Sequence, residues 1–346
     1  MKNKIYRNMA IPGVVALFAV IVPAALIKAN VINAYTAQII TLGGINAIMA
    51  LSVNIICGIT GQLSLGQAGF EAIGAYAVIL LTQNCGIPLP VSIILAALVA
   101  AFFGFVIGFP TLKLEGDYLA IVTLAFGEII RVVLVNLKAI TGGPNGKQFP
   151  TMLSTDFVWG STCSYLTIVG ALVVIIILLQ NFVRSTYGRA ILAVREDEIA
   201  ANANGIGVFR YKMTGFVIAS FVAGIAGALY APFIGFIKPD LASFNNSIND
   251  LIFVVLGGMG SVTGSVLAAF VLTYLQEFLR FLQHYRLLFY PVILILVMLF
   301  RPQGLLGMKE LSFVKAWDGI PGLVRRCAAA VRKRGGTAAE RRPADE

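Results

Sequence analysis

Long, mostly apolar stretches follow one another along this 346-residue chain. A helix needs roughly 20 such residues to cross about 30 Å of hydrocarbon. Suitable windows lie at 11–27, 37–57, 91–109, 119–137, 166–182 and 216–237, and shorter or glycine-interrupted ones at 61–81, 251–256, 266–282 and 287–300. Lipid offers the backbone no hydrogen bonds, so segments of this length form helices. The sequence predicts an all-α, polytopic transmembrane helix bundle with about ten membrane helices, some of them broken or short.

The composition agrees with this class. Hydrophobic residues make up 58% of the chain and charged residues only 12%, whereas a soluble domain carries about 25% charged residues. The 35 glycines are spread through the apolar windows, where they suit close helix packing and helix breaks. We therefore expect one transmembrane domain over residues 1–310, followed by a basic tail over 311–346, and no soluble catalytic domain.

The net charge of +10 is concentrated outside the apolar windows. Basic residues precede the first window, surround the hydrophilic run near residue 195, and follow residue 300. The positive-inside rule places all three groups in the cytoplasm, which an even number of helices allows. We expect both termini to be cytoplasmic, and we expect no nucleic acid partner, because topology accounts for the charge.

Residues 185–207, here called the coupling segment, form a hydrophilic run between two apolar windows. Good helix formers over 190–203, between Gly188 and Gly205, predict one short cytoplasmic helix. Ile191, Val194 and Ile199 can share a face, with charges of both signs between them. Such a helix can dock in a groove of a soluble partner; the alternative is a helix resting on the lipid surface.

Two glycine-containing segments predict breaks in membrane helices. Non-helical backbone at membrane depth survives only against protein or water, so such breaks can line a solute path, although they can equally serve packing. Glu71 is a costly charge in an apolar window and fits either a path or a buried hydrogen bond. Glu128 and Arg131 are spaced to neutralise each other on one helix. The candidate path residues are Gly61, Gln62, Ser64, Gly66, Gln67, Glu71, Gly257, Gly258 and Gly260.

The chain shows no nucleotide-binding or metal-binding pattern. Gly142 to Lys147 only superficially resembles a phosphate loop, because the glycine spacing and the residue after the lysine both differ from that motif. The 4 cysteines and the single histidine lack metal-ligand spacing. Cys85 and Cys163 fall in loops predicted to lie outside, where they can pair or stay free. We expect no metal, and any ATP to be bound by another chain.

Four stretches, at 58–76, 188–207, 255–264 and 300–307, carry a family resemblance. They include Gly58-Ile-Thr-Gly-Gln-Leu-Ser-Leu-Gly-Gln67, Arg195-Glu-Asp-Glu-Ile-Ala-Ala201 and Val255-Leu-Gly-Gly-Met-Gly260. In this order they resemble the permease family of ATP-binding-cassette importers for branched-chain amino acids, specifically LivM-type subunits. One departure is Gln67, which stands where the family pattern often has histidine.

The resemblance implies a non-catalytic permease of the bacterial cytoplasmic membrane that imports leucine, isoleucine and valine. Its coupling segment would seat in two cytoplasmic ABC ATPase subunits, which would hold ATP and magnesium. Further implied partners are a second, LivH-type permease, an extracytoplasmic amino-acid binding protein and membrane lipids. The residues implied to make or position the ATPase contact are Gly188, Arg189, Arg195, Glu196, Asp197, Ala200 and Gly205.

Other functions remain open at this level. Relatives with similar motifs are specialised for urea, amides or other amino acids. An ion-gradient-driven secondary transporter would need acidic residues or histidine at mid-membrane, for which only Glu71 and Glu128 qualify. A membrane enzyme is the remaining class, and the chain offers few residues for catalysis.

Overall fold

The computed structural model describes residues 23–27, 29, 33–114, 116–149, 157–280, 286–300, 304 and 307. The basic residues before the first apolar window and the predicted tail over 311–346 lie outside these ranges. The main helices are α1 (Ala34–Val53), α2 (Gln67–Gln83), α3 (Leu89–Thr111), α4 (Asp117–Asn136), α5 (Lys138–Thr141), α6 (Phe157–Arg184), α7 (Thr186–Glu196), α8 (Glu198–Ala203), α9 (Val208–Ile234), α10 (Phe244–Gly257), α11 (Val262–Phe278) and α12 (Arg286–Phe300). Residues 23–27 are also helical.

Little of the described chain is extended. The two-residue strands β1 (Lys147–Gln148) and β2 (Phe236–Ile237) pair antiparallel between the loops that follow α5 and α9. Short 3₁₀ turns cover Gly143–Asn145 and Pro239–Ala242. The predicted all-α bundle is therefore confirmed.

Five of the described helices are long and apolar enough to cross a membrane: α1 with its π-helical extension, α3, α4, α6 and α9. The apolar helix α11 is shorter. α3 exposes a row of large apolar side chains, among them Ile94, Leu98, Phe102 and Phe105. In water such a row would be costly, whereas against lipid tails it is favourable.

The helices α1 and α9 lie at the centre of the bundle. α9 packs on α1, α2 and α3, while α1 also packs on α6 and α11. Small residues allow these close approaches: a Cβ at Gly224 would lie 2.6 Å from the Cβ of Ala100, and one at Gly227 would collide with the backbone oxygen of Glu71. This is the packing expected where lipid gives helices no hydrophobic reason to associate.

The first predicted break follows α1. The chain continues as a π-helix over Asn54–Ile59, residues 61–66 are not helical, and Gly61 adopts a left-handed φ of 71°. α2 begins at Gln67, so the start of the apolar window at 61–81 is the break itself. Gly61 is suited to this turn because it lacks a Cβ.

The second predicted break separates α10 from α11. Gly258 and Gly260 have φ of 104° and 89°, and a Cβ at Gly257 would lie 2.6 Å from the carbonyl carbon of Gly264. α10 starts at Phe244, well before the apolar window at 251. The window missed these first two turns of helix, about 3.6 residues each, because most of their residues are polar: Asn245, Asn246, Ser247, Asn249 and Asp250.

The coupling segment contains two helices, so the single helix predicted over 190–203 is wrong. Gly188 lies inside α7, and Asp197 separates α7 from α8 with an extended φ of −157°. The Asp197 carboxylate accepts hydrogen bonds from the backbone N–H groups of Ile199 (2.9 Å) and Ala200 (3.0 Å). Aspartate favours such local capping over a helix interior, which explains the interruption.

The packing of α9 on α2 predicts a clear difference in stability between two glycine variants. Gly227→Ala places a methyl group against the Glu71 backbone and is expected to destabilise the bundle by roughly 1–3 kcal/mol, the usual range for overpacking. Gly170→Ala in α6 meets nothing within 4 Å and is expected to be neutral or slightly stabilising. Unfolding of the purified protein in detergent, followed by circular dichroism, compares the two. Equal stability of both variants would contradict this packing.

Candidate functional site

Helix α7 is held against the bundle by one face. Ser185 begins it as a cap, its hydroxyl accepting a hydrogen bond from the Gly188 N–H at 3.2 Å. Ile191 and Val194 are buried, each only 1% exposed, and a Cβ at Gly188 would collide with the backbone oxygens of Phe182 and Val183. The coupling segment therefore packs directly on the membrane helices at its first half.

Arg195, in the last turn of α7, reaches into the bundle. Its Nη1 donates a hydrogen bond to the carbonyl oxygen of Gly58 at 2.7 Å, and its side chain is 23% exposed. Gly58 lies near the end of the π-helix, where carbonyl groups lack helical partners. A cation at this position also interacts favourably with the negative end of the helix dipole. Arg195 thus caps the central helix α1 from outside it.

Two more predicted positions meet the same side chain. A Cβ at Gly61 would lie 2.7 Å from the Cγ of Arg195, and one at Gly260 would lie 3.3 Å from its Nη1. The Gly260 N–H donates to Asn54 Oδ1 at 2.8 Å. Asn54, Gly58, Gly61, Arg195 and Gly260 together form what is here called the Arg195 junction. It joins the coupling segment to both broken membrane elements.

The second half of the coupling segment is turned outward. Ile199 is 84% exposed, and Asp197, Ala200 and Gly205 are exposed as well. The prediction that Ile199 shares a face with Ile191 and Val194 is therefore wrong, because the break at Asp197 redirects α8. Glu198 forms an ion pair with the buried Lys212 of α9, which ties α8 to the bundle.

The remaining implied coupling residues fall into two groups. Arg189 is exposed and forms local hydrogen bonds, to the Arg184 carbonyl at 3.4 Å and the Thr186 hydroxyl at 3.3 Å. Glu196 is exposed, 3.9 Å from Arg195 Nη2. An exposed pair of this kind contributes little stability. Gly188 and Arg195 face the bundle, whereas Arg189 and Glu196 face outward.

The candidate path residues do not form one cluster. Gly66 packs on the backbone of Thr123 in α4, Gly257 on Gly264, and Gly258 on Gly304 and Gly307. Only Gly61 and Gly260 meet at the Arg195 junction. Close backbone approaches therefore support the packing interpretation at Gly66, Gly257 and Gly258.

Buried amides and hydroxyls lie beside the first break. Gln67 Oε1 accepts a hydrogen bond from the Ser52 hydroxyl at 3.1 Å, and the Thr60 hydroxyl lies 3.4 Å from Gln62 Oε1. Gln67 Nε2 and Ser64 Oγ are buried and have no hydrogen-bond partner in the described part of the chain. A buried polar atom without a partner is costly, and such atoms concentrate where a ligand or water binds.

The charged side chains of the membrane helices fall into two sets, at different places in the bundle. Arg131 Nε donates to Glu128 Oε2 at 2.7 Å, so the predicted pair is confirmed. Glu71 of α2 and Asp250 of α10 are both buried, on helices that pack on each other. Cys85 and Cys163 are exposed free thiols, so they do not form a disulfide in this structure.

Sequence reasoning missed three residues of this region as site residues: Asn54, Gly58 and Asp250. Asn54 lies in the apolar window at 37–57 and Gly58 directly follows it, and the π-helical end there leaves no pattern in the sequence. Asp250 lies just before the apolar window at 251–256 and was not considered. Its spacing of seven from Ser243, with Asn246 and Ser247 between, is a polar stripe of helical period that could have revealed it.

Most of the chain matches known proteins. Residues 35–299 match the family model described as "Branched-chain amino acid transport system / permease component". The LivM permease of the high-affinity branched-chain amino acid transport system of Escherichia coli K12 is 41% identical over 79% of this chain and 70% of its own length. BraD of Pseudomonas aeruginosa is 30% identical over 80% of this chain and 95% of its own.

LivH of Escherichia coli K12 is 26% identical over 80% of this chain and 95% of its own length. No solved structure matches the chain. The family match and the apolar helices indicate a multi-pass protein of the inner membrane. With a matched region that includes both breaks and the coupling segment, this chain belongs to the family of permease components of branched-chain amino acid transport systems.

Proposed function

We propose that this chain forms the translocation path of an ATP-driven importer for leucine, isoleucine and valine. Two cytoplasmic ABC ATPases, which bind ATP and magnesium, seat on its coupling segment. A LivH-type permease completes the path with it, and an external binding protein delivers the amino acid. The similarity to both LivM and LivH supports a pair of related permeases.

The Arg195 junction is the observation that carries this proposal. An importer must convert a movement of its ATPases into a change of access within the membrane. Arg195 connects the cytoplasmic helix α7 to the end of the central helix α1 through the Gly58 carbonyl, and to the turn at Gly260. Displacing α7 would therefore move both broken elements together, because packed helices shift as rigid bodies.

The exposed half of the coupling segment supplies the docking surface. α8 presents Ile199 and Ala200 beside the acidic Glu196 and Asp197. An apolar anchor with charges around it suits a groove on a soluble partner. The proposal puts the coupling segment in the cytoplasm with the ATPases, and the positive-inside rule favours the same side for both chain termini.

The first experiment measures uptake of radiolabelled leucine by liposomes containing the complete complex. ATP is supplied on the cytoplasmic face and the binding protein on the other. Accumulation that requires ATP is the expected result. Accumulation by this chain alone under an imposed ion gradient, without ATP or partners, would replace the proposal with a secondary transporter.

Replacing Arg195 tests the transmission step. Arg195→Ala removes a charge-assisted hydrogen bond and is expected to lower ATP-driven uptake roughly tenfold while the complex remains assembled. Arg195→Lys should recover only part of the loss, because lysine lacks the planar guanidinium fork. Arg210→Ala, an exposed arginine in the first turn of α9, serves as the control and should keep normal uptake. Normal uptake by Arg195→Ala would exclude this route of coupling.

A pair of glycine variants isolates the contact with Arg195. Gly61 and Gly86 have similar left-handed φ of 71° and 66°, so alanine strains both backbones by about 1 kcal/mol. A Cβ at Gly61 also meets Arg195, whereas one at Gly86 meets nothing within 4 Å. Uptake is expected to fall several-fold for Gly61→Ala and to stay near normal for Gly86→Ala. Equal effects would mean that backbone strain alone is responsible.

Variants of Ile199 test whether α8 docks on the ATPase or rests on the lipid surface. Ile199→Ser removes the apolar anchor and is expected to reduce the amount of ATPase that co-purifies with the permease in detergent. Ile199→Val keeps an apolar side chain of similar shape and should retain the ATPase. If the serine variant binds the ATPase normally, α8 does not serve as the docking helix, and the lipid-surface alternative is favoured.

A further inference from the structure

Glu71 and Asp250, here called the acidic pair, lie inside the bundle on different helices. Both residues are only 7% exposed. Their helices α2 and α10 pack on each other, close enough that a charge on Glu71 would bear on the Asp250 carboxyl group. Gly227 of α9 packs on the backbone of Glu71. Three helices therefore converge on two carboxyl groups.

No cationic side chain in the described ranges neutralises this pair. The ion pairs found there involve Glu128, Asp240, Glu196, Glu198 and Glu277, and no basic residue acts on Glu71 or Asp250. Two ionised carboxylates buried together repel each other and lose hydration. The pair is therefore stable in the bundle when its carboxyl groups are protonated or when a cation lies between them.

Asp250 also has an atom available for a ligand. Its Oδ2 is fully enclosed and has no hydrogen-bond partner among the described residues. Carboxylate oxygens accept strong hydrogen bonds from ammonium groups. A buried carboxylate with a free oxygen beside a second carboxylate is therefore suited to a compact donor with several N–H groups.

The pair lies at the end of a polar stripe. Ser243, Asn246, Ser247 and Asp250 follow one another at helical spacing along α10. Gly260, just beyond the end of α10, lies close to Arg195 of the coupling segment. With that segment in the cytoplasm, as proposed, the beginning of α10 lies farther toward the external side. With 14 residues, α10 is about 21 Å long and cannot span the membrane alone. The stripe leads inward to Asp250, roughly 10 Å before the end of the helix.

We propose that the acidic pair is a binding site within the translocation path for the α-ammonium group of the transported amino acid. The proposal rests on the proposed function, because it assigns this group of the cargo to residues of this chain. The ammonium would supply the positive charge that the pair lacks. It would donate hydrogen bonds to both carboxyl groups and accept none. The aliphatic side chain would remain against the apolar helices around the pair.

The test uses the complete complex in lipid nanodiscs without binding protein, and measures radiolabelled leucine by equilibrium dialysis. Glu71→Gln and Asp250→Asn remove one charge each and are expected to weaken leucine binding at least roughly tenfold. Glu128→Gln, which alters a carboxylate paired with Arg131, should bind as the wild type does. Glu71→Asp, which keeps the charge, should recover part of the affinity.

Two analogues identify the group that is bound. Isoamylamine carries the ammonium without the carboxylate and is expected to compete with leucine on the wild type but not on Glu71→Gln. The carboxylic acid 4-methylpentanoate lacks the ammonium and should compete poorly. Competition by the acid alone, or leucine binding within twofold of the wild type in both neutralised variants, would overturn the proposal and leave a shared proton.

Two further measurements keep the possible failures apart. Replacing sodium by N-methylglucamine should leave leucine binding unchanged; loss of binding would assign the pair to a sodium ion and overturn the proposal. ATP-driven leucine uptake is measured in parallel. Absence of uptake in both the wild type and Glu128→Gln would refute the proposed function itself, whereas normal uptake by Glu71→Gln would refute only the ammonium site.

Discussion

Every polar backbone group inside a bilayer needs a partner within the protein, and the rest of this structure depends on that constraint. Regular helices meet it by themselves. At the π-helical end of α1 and at the turn after α10 the helices stop, and their backbone groups need other partners. The Asn54 side chain accepts a hydrogen bond from the Gly260 N–H, and Arg195 donates one to the Gly58 carbonyl. Both breaks therefore depend on side chains from elsewhere in the chain.

This requirement links the breaks to function. A break satisfied by its own loop would be independent of the cytoplasmic segment. Here the partner of Gly58 belongs to α7, separated from it by 137 residues in sequence. The same guanidinium lies against Gly61 and Gly260. The helix expected to move with a partner is thus also the helix that completes the membrane part, which supplies a physical route for coupling.

Glycine has two distinct roles in this bundle. At Gly224 and Gly227 it allows α9 to approach α2 and α3 closely. At Gly61, Gly258 and Gly260 it allows left-handed backbone where the chain turns. Packing glycines determine where helices lie, and turning glycines determine where they end. The two roles look alike in sequence, since both occur within or beside apolar windows.

The sequence by itself determined the class and most of the helices, because a bilayer imposes length and polarity on each segment independently of the others. It also located the coupling segment and the Glu128–Arg131 pair, which are local patterns. It placed Ile199 with Ile191 and Val194, and it left Asp250 outside the helices, because a capping aspartate and a polar helix interrupt those patterns. Only the tertiary structure brought Arg195 to Gly58, and the helix of Glu71 against the helix of Asp250. Such contacts join residues far apart in the chain, and they arise from how the helices pack rather than from any local pattern.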